Sequence, residues 1–146
     1  MEERGLTCGT ALVAKARDSR IRVVGVEPER ADDASRTLRT GVIQTLERAP
    51  DTIADGVRAT AIGRRNFEVM VERGLIDDIV TVAEEEVQDS LLRAWLDLKL
   101  AIEPTAALPL AAFLAGKLPD SGRPVGLVLS GGNAAGEVVA RLLGTR

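Results

Sequence analysis

The sequence predicts an α/β fold, a mostly parallel sheet with helices on both faces. Three observations carry that expectation. Hydrophobic residues make up 45% of the 146, yet only Phe67, Trp95 and Phe113 are aromatic. The core must therefore be built from Ala, Val, Leu and Ile, which suits helices packed on a buried sheet. Three short runs rich in β-branched residues, 21–26, 79–82 and 125–129, read as strands apolar on both faces. Helically spaced segments separate them, and strand alternating with helix implies right-handed crossovers between parallel strands.

In chain order the helices fall at 6–18, 31–40, 63–73, 84–101, 106–117 and 134–143. The clearest is 84–101, where Val87, Leu91, Trp95, Leu98 and Ile102 form one apolar stripe behind the acids Glu84, Glu85 and Glu86. Acids in a first turn are favoured by the helix dipole. Pro104 ends that helix, and Pro109 is tolerated only in the first turn of the next, where its missing N–H is not needed. The stretch 44–62, with Ala49-Pro50-Asp51 and Ala54-Asp55-Gly56, lacks periodicity and reads as a long, site-forming loop. No internal repeat or low-complexity segment divides the chain, and the length fits one domain.

Charge and composition exclude several functions. A net charge of −3 argues against a nucleic-acid groove, which needs a basic stripe. The absence of His removes Ser-His-Asp catalysis and most zinc sites. Cys8 is the lone cysteine, so no internal disulfide forms. With no signal pattern and no apolar run of transmembrane length, a cytoplasmic rather than a membrane protein is expected.

The stretch Leu129-Ser130-Gly131-Gly132-Asn133 follows an apolar strand and precedes a helix. Ligands of open α/β sheets sit at such carboxyl ends of strands. The glycines allow close approach of a flat ring to the backbone, and a serine hydroxyl can donate to an unprotonated ring nitrogen. Taken alone, the same residues read better as a glycine turn with Asn133 as an N-cap. Asp55-Gly56 is likewise a tight turn, Glu103 a helix-start acid, and Asp32 and Asp33 acids at a helix N-terminus.

The motifs occur in a fixed order: Gly9-Thr10-Ala11, Val26-Glu27-Pro28, Ala31-Asp32-Asp33, Thr52 to Val57, Asp77 to Val82, Ile102 to Ala106, and Leu129 to Asn133. In that order they resemble the fold type II pyridoxal-phosphate enzymes, specifically the threonine/serine ammonia-lyase (dehydratase) and serine racemase group. The resemblance runs from about Gly5 to Asn133. It implies pyridoxal 5'-phosphate as cofactor, with the Ser130 hydroxyl bonded to its pyridine nitrogen and Gly131, Gly56 and Gly5 at the cofactor. It implies a substrate pocket formed by Asp55, Val57 and Glu103. It also implies a Mg2+, Ca2+ or Mn2+ ion held by the carboxylates of Glu27 and Asp33 and the carbonyl of Ala31, all hard oxygen donors.

Two departures qualify the resemblance. Where the family has a run of glycines binding phosphate before the first helix, residues 1–6 keep only Gly5 and add Glu2 and Glu3. The Schiff-base lysine region has no counterpart. Lys15, Lys99 and Lys117 read as solvated or snorkelling side chains rather than buried nucleophiles. Residues 1–146 are therefore expected to be the carboxy-terminal part of the large, cofactor-binding domain, one incomplete unit. The intact enzyme would eliminate water from L-threonine or L-serine, releasing ammonia and a 2-oxo acid, while this chain alone is expected to be inactive. A serine racemase-type fragment and a non-catalytic cation-binding or assembly remnant carry the same motifs. Open sheet edges predict homo-oligomers or self-association.

Overall fold

The computed structural model describes residues 5–120 and 122–144. The chain opens with helix α1 (Gly5–Arg17), then strand β1 (Val24–Pro28), a 3-10 turn Glu29–Ala31 and helix α2 (Asp33–Thr40). The long loop that follows has a 3-10 turn at Asp55–Val57 and is closed where Leu46 N–H donates to the Thr60 carbonyl over 2.8 Å. Helix α3 (Arg64–Phe67) widens into a π-helical turn Glu68–Glu72 and leads to strand β2 (Asp78–Val82). Helix α4 (Glu84–Leu96), a 3-10 turn Pro104–Ala107, helix α5 (Leu108–Leu114) and helix α6 (Gly136–Gly144) complete the order.

The two strands pair in parallel, with Val24 opposite Asp78, Val26 opposite Val80 and Pro28 opposite Val82. Strand alternation sends side chains to opposite faces, and each face is covered. Val23 and Ile79 pack with Cys8, Ala11, Ala34, Phe67 and Met70, from α1, α2 and the α3 region. Val26, Val80 and Val82 pack with Val87, Leu91 and Ala111, from α4 and α5. Helices thus lie on both faces of a parallel sheet, as expected. Gly25 has no side chain because Ile79 lies across it: a β-carbon there would sit 3.1 Å from Ile79 Cγ1.

Three expectations need correction. The run 125–129 is extended but is not a strand of the sheet, since among the described residues its backbone pairs with no ladder. Leu127 and Leu129 still pack on the α4–α5 core, while Val125 and Val128 are half exposed. Second, α4 stops at Leu96 rather than 101. Lys99 adopts a positive φ of 59°, and the chain turns back so that Leu100 N–H donates to the Ala94 carbonyl over 2.8 Å. Trp95 Nε1 donates to the Ile102 carbonyl at 2.8 Å, so Ile102 enters the core from the returning chain while Leu98 points outward. Pro104 accordingly starts a 3-10 turn instead of ending α4.

The third correction concerns the lysines. Lys15 is not solvated: its ammonium lies 2.7 Å from Asp77 Oδ2, which also accepts Val23 N–H over 2.7 Å. One carboxylate thus ties α1 to the start of both strands. Lys117 bonds Glu86 at 2.7 Å, and Lys99 Nζ donates to the Leu96 carbonyl. Burial pushes the Asp77 carboxyl up, but the Lys15 hydrogen bond, the Val23 N–H and the Lys15 and Arg22 charges outweigh it and hold it below the ordinary carboxylate range. A depressed folded-state pKa contributes stability that is fully present above the unfolded value, about 3.9, and is lost as pH falls through the folded value. Asp77→Asn should therefore cost about 1 kcal/mol at pH 7 and progressively less as pH falls from about 3.9 toward about 2. Melting temperatures of both proteins across that range check this, and a constant gap would contradict it.

Candidate functional site

The Ser130 stretch is anchored by Glu103. The Glu103 N–H donates to the Gly131 carbonyl over 3.2 Å, and Asn133 N–H donates to Glu103 Oε2 over 3.1 Å. Residue 131 can only be glycine in this arrangement. Its φ is +96°, and a β-carbon would lie 2.5 Å from the Glu103 carboxyl. Asn133 is not the N-cap of α6, because that helix begins three residues later, at Gly136.

The Asp55–Val57 turn joins the same cluster through Thr105. Gly56 N–H donates to Thr105 Oγ1 over 3.0 Å, and a β-carbon on Gly56 would come within 2.9 Å of that hydroxyl. Glu84, at the first turn of α4, fixes the preceding stretch, accepting Ile53 N–H at 2.6 Å on Oε1. Three stretches far apart in sequence, 53–57, 103–105 and 130–133, are thereby held together by backbone bonds to three side chains. The roles of Thr105 and Glu84 escape a sequence reading, because a threonine after proline and an acid in a first turn both have ordinary local explanations.

Ser130 and Val57 line a cavity of about 860 Å3 that runs along β1, with Thr105 and Ala106 also in its wall. The Ser130 hydroxyl makes no hydrogen bond among the described residues. Asp55 is separated from Val57: it faces a second cavity of about 620 Å3, with Arg30, Arg58, Glu84 and Arg141. Gly5 begins α1, and among the described residues nothing lies within 4 Å of where its side chain would be. None of the three lysines lines the Ser130 cavity.

The metal expectation finds no support. Glu27 and Asp33 are buried at the end of β1 and the start of α2, but Glu27 Oε1 accepts Ser35 N–H over 2.7 Å, in the first turn of α2. That is the bond of a carboxylate serving a helix N-terminus. Ala31 is buried in the intervening 3-10 turn. Among the described residues no group of three or more His, Cys, Asp or Glu side chains could hold a metal ion. Nor is any helix among them long and apolar enough to cross a membrane.

Comparison with known proteins places this cluster in a chemical context. The family described as "Pyridoxal-phosphate dependent enzyme" matches residues 3–131. The chain is 37% identical over 139 residues to a serine racemase of Schizosaccharomyces pombe, covering 95% of this chain and 42% of that relative. It is 36% identical over 139 residues to an L-threo-3-hydroxyaspartate ammonia-lyase of a Pseudomonas species, covering 95% of this chain and 43% of the relative. Among solved structures it is similar to a threonine deaminase from T.th., with TM-score 0.83, 43% identity and coverage of 92% of this chain and 48% of that one. The maize serine racemase aligns with TM-score 0.86 at 33% identity, covering 99% of this chain and 44% of that one. The chain thus spans about two-fifths to a half of the length of these relatives. With nearly all of its residues matched and its backbone superposing on two such enzymes, the chain belongs to the pyridoxal-phosphate dependent enzyme family.

Proposed function

We propose that residues 1–146 form one side of the cofactor site of a pyridoxal-phosphate-dependent ammonia-lyase acting on L-threonine or L-serine. The observation that carries the reading is the convergence of Ser130, Val57 and Thr105 on one cavity, with the Ser130 hydroxyl unspent among the described residues. When bound, pyridoxal phosphate supplies an electron sink for the α-carbon of an amino acid. Ser130 would donate its hydroxyl hydrogen to the ring nitrogen, and a hydroxyl, unlike a carboxylate, leaves that nitrogen unprotonated. Glu103 holds Ser130 in place through the Gly131 and Asn133 backbone and needs no contact with substrate to do so. Gly131 and Gly56 serve the cavity wall indirectly, by leaving room for the Glu103 carboxyl and the Thr105 hydroxyl that fix the two loops. Val57 gives that wall its apolar surface, while Asp55, facing the second cavity, is assigned to the substrate side only through the family pattern.

Residues 1–146 are read as the carboxy-terminal part of the cofactor-binding domain, working in the cytoplasm and completed by the remainder of a family chain. On that reading the chain alone releases no 2-oxobutanoate from L-threonine. The test is pyridoxal-phosphate binding by the chain mixed with the portion of the S. pombe serine racemase outside the matched region. Ser130→Ala should weaken binding about fivefold, the worth of one hydrogen bond near 1 kcal/mol. Unchanged affinity would remove Ser130 from the site. Because relatives named as racemases are as similar as those named as ammonia-lyases, a racemase reading stands beside the first. D-serine in place of a 2-oxo acid as the product from L-serine would select it.

A further inference from the structure

We infer that the second cavity, of about 620 Å3, binds a zwitterionic α-amino acid with a polar side chain. It shares no lining residue with the Ser130 cavity. Three elements form it: the loop 51–58, the first turns of α4 through Glu84 and Gln88, and α6 through Arg141. Glu84 and Gln88 stand four residues apart and so share one face of α4. Leu142 is buried in the α4–α5 core and Val138 packs against it, which fixes the helix that carries Arg141.

The charged groups of this cavity balance, with Arg30, Arg58 and Arg141 against Asp51, Asp55 and Glu84. Arg30 and Asp51 serve one another: Arg30 Nη1 lies 3.5 Å from Asp51 Oδ2 and donates to the Asp51 carbonyl over 3.3 Å. The other two cations and two anions form no ion pair among the described residues. Glu84 gives Oε1 to the Ile53 N–H, while its Oε2 is buried and meets no donor among them. A buried carboxylate oxygen without a donor is costly, so a group that supplies one is drawn there. Arg58 spends Nε on the Pro50 carbonyl over 3.1 Å and keeps both Nη groups, and the Arg141 guanidinium has no acceptor among the described residues. A simple anion would suit the two guanidinium groups but be repelled by Glu84 and Asp55, and a metal ion would meet the reverse. An α-amino acid satisfies both sets at once. Its ammonium brings three donors to Glu84 Oε2 and Asp55, and its carboxylate accepts from the guanidinium forks. Thr52, Gln88 and Asn133 bring hydroxyl and amide groups to the remaining wall, which fits a polar side chain.

Neither cofactor nor Ser130 takes part in this recognition, so loss of the Ser130 reading and loss of this site are separate results. Titration calorimetry of the full 146-residue chain with L-glutamine, in the absence of pyridoxal phosphate, should show one site with a Kd of about 1 mM or tighter. N-acetyl-L-glutamine, which lacks the ammonium, and the α-amide of L-glutamine, which lacks the carboxylate, should each bind at least about tenfold more weakly. Glu84→Gln keeps an oxygen for the Ile53 N–H, removes the charge, and should weaken L-glutamine by about the same factor. Arg141→Gln should do likewise while moving the melting temperature little, since that guanidinium makes no bond among the described residues. No binding of L-glutamine at about 10 mM overturns the proposal. Equal binding of the N-acetyl form, or of inorganic phosphate, makes the cavity a plain anion site and overturns it too. Unchanged affinity in Arg141→Gln, with or without a folded Glu84→Gln, places the amino acid elsewhere and has the same consequence.

Discussion

Leu91→Ala should destabilise the chain by about 3 kcal/mol, the middle of the range for emptying a leucine site in a packed core. Leu91 is 1% exposed on the inner face of α4 and belongs to the cluster that joins Val82 of β2, Val87 and Ala111 of α5. Truncation leaves a cavity at the contact that holds the α4–α5 layer against the sheet, and surrounding backbone can relax only partly. Because domains of this size have margins of about 5–15 kcal/mol, the change consumes a large share of the total. Urea unfolding followed by the fluorescence of Trp95, which packs on the same cluster, reads the shift in midpoint. Val13→Ala, at a site 71% exposed on α1, should move that midpoint little. Equal shifts for the two variants would show that the α4–α5 layer is not the stabilising core.

Gly131→Ala should open the clip between Glu103 and the Ser130 loop. A side chain at φ +96° costs about 1–3 kcal/mol in backbone strain. The added methyl group also meets the Glu103 carboxyl at 2.5 Å, so the glutamate must leave. Both bonds of the clip, Glu103 N–H to Gly131 and Asn133 N–H to Glu103, then weaken together. Exchange of the Glu103 and Asn133 amides should accelerate about tenfold or more, the factor corresponding to about 1.4 kcal/mol. Gly136→Ala is the control, since a β-carbon there meets nothing within 4 Å. The double variant Gly131→Ala with Glu103→Ala has no acceptor for the Asn133 amide, so only the backbone amide of residue 103 reports: if that rate is not restored, backbone strain rather than the carboxyl clash dominates. Unaltered exchange in the single variant would show that Glu103 does not hold the loop.

The fold class was legible because it depends on patterns that repeat. The β-branched runs at 21–26 and 79–82 became β1 and β2 with boundaries moved by at most three residues, and Pro109 does sit in the first turn of α5. Less legible was where elements end. The stripe through Leu98 and Ile102 continued the α4 period, but a positive φ at Lys99 and the Trp95–Ile102 bond reversed the chain first. Such a reversal is decided by tertiary contacts, which periodicity does not contain. The run 125–129 shows the same limit from the other side: its composition is that of a strand, but a strand needs a neighbour to pair with.

The ordered motifs by themselves determined the family, the residue types at the site and the helix–strand alternation, since each is a property of local chemistry and spacing. Only the tertiary structure decided which motifs meet. It joined Gly56 to Thr105 and Gly131 to Glu103, turned Asp55 and Val57 toward different cavities, and spent Glu27 on the first turn of α2. The physical reason is that a carboxylate or hydroxyl bonds whichever N–H the packed helices bring within about 3 Å, and that choice is made across the fold rather than along the chain.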